Sequence, residues 1–301
     1  MEFVSNTVHG ATVDKVTLAL GKDQDFVFTH HYVPSGECGG ESFDILAVFD
    51  GHGLKYEDGD TRYFMDYLRN APLALLLSAA DPVTALVDYL RQFEKKYDIL
   101  GGAVGSIVHI YSDRVVMFNV GDSKTLVFLD GLLTYCNQGH TSQNPLEVER
   151  LSTTYLGRTS TKPAHCPAVL NSTDITMVNS MYTLFYHALA TVNIAPTQSY
   201  GHHGVTGYEP DTCTIPYSPD QKVHVVVASD GLMDMVAMNS AEDIAFLSSS
   251  SAQEIGAFAQ ARWSQTWNYV YEGKVVQTGH QFPRDAHDDV GVITWTKMPN
   301  V

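Results

Sequence analysis

Ile45-Leu-Ala-Val-Phe-Asp50-Gly51-His52-Gly53 is a run of five apolar residues that stops at a carboxylate and then turns through two glycines. A short continuous apolar run bounded by turn residues reads as a strand buried on both faces. The same grammar returns twice. Val223 to Ala228 runs into Ser229-Asp230-Gly231, and Asp288 stands just before Val290–Trp295. Three carboxylates thus sit at the ends of three apolar strands, where rigid scaffolds present functional side chains. A half-buried carboxylate is costly unless it is paired or bound to a metal, and few cations lie near these three in sequence. Oxygen ligands without cysteine and with little histidine suit hard ions such as Mg²⁺ or Mn²⁺. An Asp at a strand end is also a common turn or cap residue, so each one alone decides nothing.

Outward from these strands the pattern alternates. Phe26–Val33 and Ser42–Phe49 read as extended segments flanking a turn at Pro34–Gly40. Phe64, Tyr67, Leu68, Ala71 and Leu75 recur at helical spacing, divided by Pro72. Asp81-Pro82 starts a second helix whose buried face is Val83, Leu86, Val87, Leu90 and Phe93. Segments near Ala103–Tyr111, Arg114–Val120, Lys124–Leu129 and Leu132–Cys136 read as a β-meander. Asn144-Pro145 opens a short helix through about Leu151. Thr153–Pro219 is polar and mixed, with a helix expected near Met181–Ala190 and an irregular loop at Gly201–Gly207. Ser251 and Glu254 form a capping box before a helix facing inward through Ile255, Phe258, Ala259 and Trp263. Strands in both halves with helices between them, and no repeat or linker, predict one α+β domain over 1–301.

Composition narrows the function. The chain has 301 residues, 44% hydrophobic, enough for a sizeable core. Its formal charge of −16 would repel a nucleic-acid backbone, and no basic stripe offsets it. That acidity either concentrates divalent cations or simply keeps the chain soluble. No apolar run is long enough to span a bilayer, and Met1–Gly10 has no secretory pattern. Cys38, Cys136, Cys166 and Cys213 are widely spaced with no C-x-x-C pair, which suits a reducing compartment. The expectation is an intracellular monomer, in cytoplasm or nucleus, that binds neither nucleic acid nor membrane.

Five motifs now stand in order: Ala47-Val-Phe-Asp-Gly-His-Gly53, Asn119-Val-Gly-Asp-Ser-Lys124, His140 through Leu151, Ala228-Ser-Asp-Gly-Leu-Met-Asp234 and His287-Asp-Asp-Val-Gly-Val-Ile293. In order and spacing they resemble the type 2C, metal-dependent Ser/Thr protein phosphatases, from about Asp23 onward. The resemblance implies a four-layer α-β-β-α sandwich, two antiparallel sheets flanked by helices, with two Mg²⁺ or Mn²⁺ ions at one end. It implies that Asp50 bridges the ions, that the Gly51 carbonyl ligates one, and that Asp230 and Asp288 hold the other. The ion pair would activate a water for in-line attack on a phosphoprotein's phosphoserine or phosphothreonine. His52 matches the candidate general acid for the leaving alkoxide; the other reading makes it an orienting residue beside Asp50. Asp122 is expected to hold a tight turn. The remaining histidines, His30-His31 and His202-His203 among them, are expected at the surface or in packing.

Departures stand out at three places, the first of them both the acidic pair and the arginine before it. Gln24-Asp25 occupies the place of an acidic pair, leaving Asp25 to reach a metal through water. No arginine occurs before Arg62, so Lys22 is the only nearby group for the substrate phosphate, and it lacks a guanidinium's two-point grip. Gly139 stands where the family has an accessory-metal Asp, and Ala188–Gly201 carries no Arg or Asp where a substrate-flanking element is expected. An enzyme of reduced activity, or a pseudophosphatase that binds a partner or phosphoprotein without turnover, are the two readings these losses leave.

Overall fold

A computed structural model describes residues 11–20, 22–34, 40–52, 60–97, 100–154, 159–186 and 191–299. Expectations for Met1–Gly10, Cys38 and most of the Pro34–Gly40 turn lie outside these residues.

Two sheets form the frame. One has the order β12 (Asp211–Pro216), β5 (Arg114–Val120), β4 (Gly102–Ile110), β3 (Phe43–His52), β2 (Asp25–Tyr32), with β11 (Tyr200–Gly201) added against β4. The other runs β1 (Ala11–Leu18), β16 (Val290–Lys297), β13 (Val223–Ala228), β6 (Lys124–Leu129), β7 (Leu132–Cys136). Successive side chains of a strand point to opposite faces, and β3 shows what that does here. Leu46 and Val48 point into a core shared with Val225, Val227, Ile293 and Trp295 of the facing sheet. Ile45, Ala47 and Phe49 point the other way, onto α1 (Asp60–Arg69), α2 (Leu73–Leu77) and α3 (Pro82–Tyr97). A second helical layer of α5 (Asp230–Met233), α6 (Ala241–Leu247) and α7 (Ala252–Ser264) covers the far face of the β1–β16–β13 sheet. The α-β-β-α sandwich is therefore present, and the continuous apolar runs follow from strands covered on both sides.

The local signals behave as their chemistry requires. Asp81 Oδ1 accepts from Thr84 N at 2.9 Å to start α3, and Ser251 with Glu254 makes a complete capping box on α7. α4 (Pro145–Thr154) begins at the expected proline. Pro72 separates α1 from α2, and Leu75, expected on the buried face, is 72% exposed because α2 restarts the helical phase.

Five expectations need correction. The meander is not continuous: β5 pairs in one sheet and β6 in the other, so Gly121-Asp122-Ser123 carries the chain between them. Beyond the two expected sheets there is a third, of β8 (Thr159–Val169), β9 (Asp174–Tyr186), β10 (Thr191–Ile194), β14 (Trp267–Tyr271) and β15 (Lys274–His280). Its β9 takes the place of the helix expected near Met181–Ala190, whose last residues lie outside the described set. Eleven register pairs with β8 supply the hydrogen bonds that a helix would have supplied internally. Asp230 begins the short helix α5 instead of a loop. Part of the expected loop at Gly201–Gly207 is strand β11 and a 3-10 turn over His202–Gly204.

Candidate active site

β13 and β16 are antiparallel, Ala228 opposite Val292, so the end of one lies beside the start of the other. β3 and β2 bring Asp50 opposite Asp25 at the same end of the sandwich. A cleft of about 540 Å³ opens there, lined by Lys22, Asp50, Gly51, His52, Asp122, Asp230 and Asp288 among others. Of the residues expected to act, all but Asp25 line it. Asp25 is 3% exposed and sits behind the cleft, where its Oδ2 accepts from Ser229 Oγ at 2.6 Å.

The electrostatics are those of like charges crowded together. Burial, the negative charge of Asp230 and Asp25, and a hydrogen bond shared with the Asp230 carboxyl hold Asp50 well above the usual carboxylate range. Burial raises Asp25 as well; the Ser229 hydroxyl opposes this, and Asp230 and Asp289 add to it. Asp288 is pushed up to about 6 by burial and Asp230, with Lys22 pulling it back. Asp122, expected only to hold a turn, lines the cleft and is pushed up to about 7 by burial and by Asp230. Asp234 also rises well above its usual range, by desolvation and by the charges of Asp230, Asp288 and Asp122.

Lys22 answers this cluster. Its Nζ lies 3.0 Å from both Oδ1 and Oδ2 of Asp288. Burial lowers the ammonium pKa, but Asp288, Asp230 and Asp50 more than compensate and raise it. The loop carrying Lys22 is shaped by Asp289, a buried residue that sequence reading passed over. Its carboxylate accepts from the backbone N–H of Leu20 at 2.9 Å, Lys22 at 3.1 Å and Gln24 at 2.7 Å. The paired acids at 288 and 289 were the available signal: one faces the cleft and the other organises the loop behind it.

Gly51 was expected to let the backbone approach an ion. A Cβ there would lie 2.6 Å from Met65 Cγ and 2.9 Å from its Sδ, so a side chain at 51 would displace Met65 of α1. His140, in the third motif, is structural: its Nδ1 accepts from Gly121 N at 3.0 Å and fixes the crossover that carries Asp122. Glu147 of the same motif accepts from Gln198 Nε2 at 2.9 Å and pairs with Arg150, tying α4 to the segment after β10. That segment and the third sheet form the remaining wall through Asn193, Ile194, Ala195, Pro196 and Tyr182.

His52 is half-buried, and burial, His202 and Lys22 together push its pKa well below normal. Its Nε2 is buried without a hydrogen-bond partner, while its Nδ1 lies 3.1 Å from His202 Nε2. His202 is wholly buried and stacks on His52, ring centroids 5.0 Å apart. It was expected to be a packing or surface residue, and no sequence signal connected it to position 52.

All-oxygen donors whose charges raise one another's pKa fit hard divalent cations, which would relieve that repulsion. Among the described residues, no group of three or more His, Cys, Asp or Glu stands in an arrangement that could hold a metal ion. The donor chemistry fits, and Lys22 is bonded to both oxygens of Asp288.

The comparisons agree with this architecture. A family model described as Protein phosphatase 2C matches residues 21–266. The chain belongs to that family. The match ends before Asp288, whose position in the cleft is a finding of the structure. A serine-threonine phosphatase 2C from Toxoplasma gondii has a TM-score of 0.60 at 13% identity, covering 98% of each chain. A C. elegans sex determining protein has a TM-score of 0.55 at 17% identity over 98% of this chain and 66% of its own. The S. agalactiae serine/threonine phosphatase gives 0.51 at 14% identity, with 96% of this chain and all of that one covered. These likenesses concern the fold. No curated protein matches the sequence. Among the described residues, no helix is long and apolar enough to cross a membrane.

Proposed function

We propose that this chain hydrolyses phosphoserine or phosphothreonine in proteins, using two Mg²⁺ or Mn²⁺ ions held by Asp50, Asp230, Asp288 and the Gly51 carbonyl. Membership of the protein phosphatase 2C family supports the protein phosphatase part of this reading. The observation that carries the rest is the gathering of Asp50, Asp122, Asp230 and Asp288 around one cleft beside His52. When bound, the ions supply charge neutralisation at the phosphate and an activated water. The chain's own residues do the remainder. Lys22 offers the phosphate a point charge from the cleft wall. His52 presents Nε2 where a leaving oxygen needs a proton. Asp25, hydrogen-bonded to Ser229, acts from behind the cleft. Asn193–Pro196 and Tyr182 bound the space beside the phosphate.

Turnover of an aryl phosphate and of a phosphopeptide, measured with Mn²⁺ and after chelation, tests this. The expected result is ion-dependent hydrolysis that falls by at least about a thousandfold in Asp50→Asn and in Asp230→Asn, roughly 4 kcal/mol of transition-state stabilisation. Activity indifferent to chelation or to both substitutions contradicts it.

A second reading, phosphoprotein binding without turnover, is favoured by one observation: Lys22 is engaged with both oxygens of Asp288. Calorimetric binding of a phosphopeptide with no turnover at saturating Mn²⁺ would establish that reading in place of the first.

A further inference from the structure

Three strands bring one odd feature together. His52 on β3 lies opposite Gly102 on β4, and Gly102 lies opposite Gly201 on β11. Gly102 leaves a hole in the sheet. A Cβ at that position would sit 2.5 Å from His202 Nε2 and 2.6 Å from its Cδ2. The His202 ring reaches through this hole to His52.

The backbone is bent to allow it. His202 and His203 both have positive φ, 50° and 53°, a conformation unfavourable for residues with a side chain. Surrounding bonds hold it: His202 N donates to Gly101 O at 3.1 Å, and His203 N to Glu94 Oε1 at 2.5 Å. Strained non-glycine residues persist where the structure over-determines them, and they gather at functional sites.

The hydrogen-bond chain has a fixed direction. The Leu100 carbonyl can only accept, so His202 Nδ1 must be the donor to it. The neutral ring then has its lone pair on Nε2, and that atom faces His52 Nδ1 at 3.1 Å. His52 Nδ1 must therefore carry the hydrogen between them. The remaining nitrogen, Nε2, is buried with no hydrogen-bond partner, on a residue that lines the cleft.

We propose that His202 is a positioning residue that sets the tautomer and ring orientation of His52, fixing the hydrogen on Nδ1 and the lone pair on Nε2. The inference rests on the phosphatase reading for its consequence. Neutral His52 has only a lone pair on Nε2, so in the hydrolysis step it takes the proton that the attacking water loses; the Nε2–H bond so formed breaks as an O–H bond forms on the departing alcohol, and the electron pair stays on Nε2. His202 touches no substrate, and its effect is on where that proton sits.

The test is the ¹⁵N spectrum of histidine-labelled protein at a pH where His52 is neutral, with turnover of a phosphopeptide measured alongside. The wild type is expected to carry its His52 hydrogen on Nδ1. His202→Phe, which keeps a ring but loses the acceptor, is expected to give mixed tautomers. It should also lower kcat by roughly tenfold or more with KM within about twofold, as a misdirected imidazole does. His202→Gln, which restores an acceptor, should recover most of the loss. A wild-type His52 with its hydrogen on Nε2 overturns the proposal, and this holds even if the Phe variant fails to fold. So does a folded Phe variant with unchanged tautomer and kcat. Absence of wild-type turnover would defeat the phosphatase reading instead, and the spectrum still decides the tautomer.

Discussion

β3 buries every residue from Phe43 to Phe49, whereas β15 leaves all but its last residue exposed. The first belongs to the paired sheets and the second to the third sheet, and they teach different things about how sequence encodes position. In the frame, both faces of a strand are covered, so the chain must spell an unbroken apolar run, and the point where the run stops marks the rim of the cleft. Asp50, Asp230 and Asp288 could be found because each interrupts such a run. In the third sheet neither face is fully covered: Met177, Val178, Met181 and Tyr182 are 36–40% exposed on neighbouring positions of β9. No period of two survives there, and the spacing of 177, 178, 181 and 185 imitates a helix.

That contrast gives a ranking of effects. Leu46 lies between the two sheets, 1% exposed; Leu46→Ala should cost about 2–5 kcal/mol in chemical denaturation, since the cavity has no room to collapse. A loss below 1 kcal/mol would mean that the frame is far looser than its packing implies.

The carboxylate cleft should add a pH signature. Asp122 and Asp288, at about 7 and about 6, hold protons in the folded chain that an unfolded carboxyl, near 3.8, has released. Groups with raised folded values lose their stabilising protonation as pH rises, so they make the folded state less stable above those values. Buried His109, His202 and His224, each pushed down to about 4, act oppositely up to the ordinary histidine value of 6.5. The clean window is therefore pH 6.5 to 8. With chelator present, the melting temperature should fall by a few degrees across it, and Asp122→Asn should flatten that fall. A rise, or an unchanged slope in the variant, would show that burial and neighbouring charge do not hold protons on these carboxyls.

Smaller effects are expected from the third sheet. Tyr182→Ala, on the cleft wall, should raise KM for a phosphopeptide severalfold and leave Mn²⁺ affinity unchanged; a loss of Mn²⁺ binding would tie this wall to the frame more closely than the account allows. Smallest of all, Val275→Ser and Val276→Ser on exposed β15 should each change stability by no more than about 0.5 kcal/mol. A larger loss would mean that this sheet is covered in solution.

The legible part of the site was the part that a single strand end can announce. Asp25 and Lys22 could be located from their loop, but the role of that loop depends on Asp289 accepting three backbone N–H groups from the far end of the chain. Asp122 looked like a turn residue because the crossover between sheets is a tertiary event: Gly-Asp-Ser spells a turn whether or not the next strand changes sheet. His202 was the least readable. Its position depends on a missing Cβ at Gly102, one hundred residues earlier, and on a register that only the assembled sheet fixes.

Titration calorimetry of Mn²⁺ into the wild type and into Asp230→Asn, monitored without any substrate, bears most directly on whether strand ends from both sheets jointly hold cations. The account predicts two ions per wild-type chain and at least about tenfold weaker binding in the variant, whose carboxylate charge is lost. Equal binding by the two proteins, or none by the folded wild type, would contradict it.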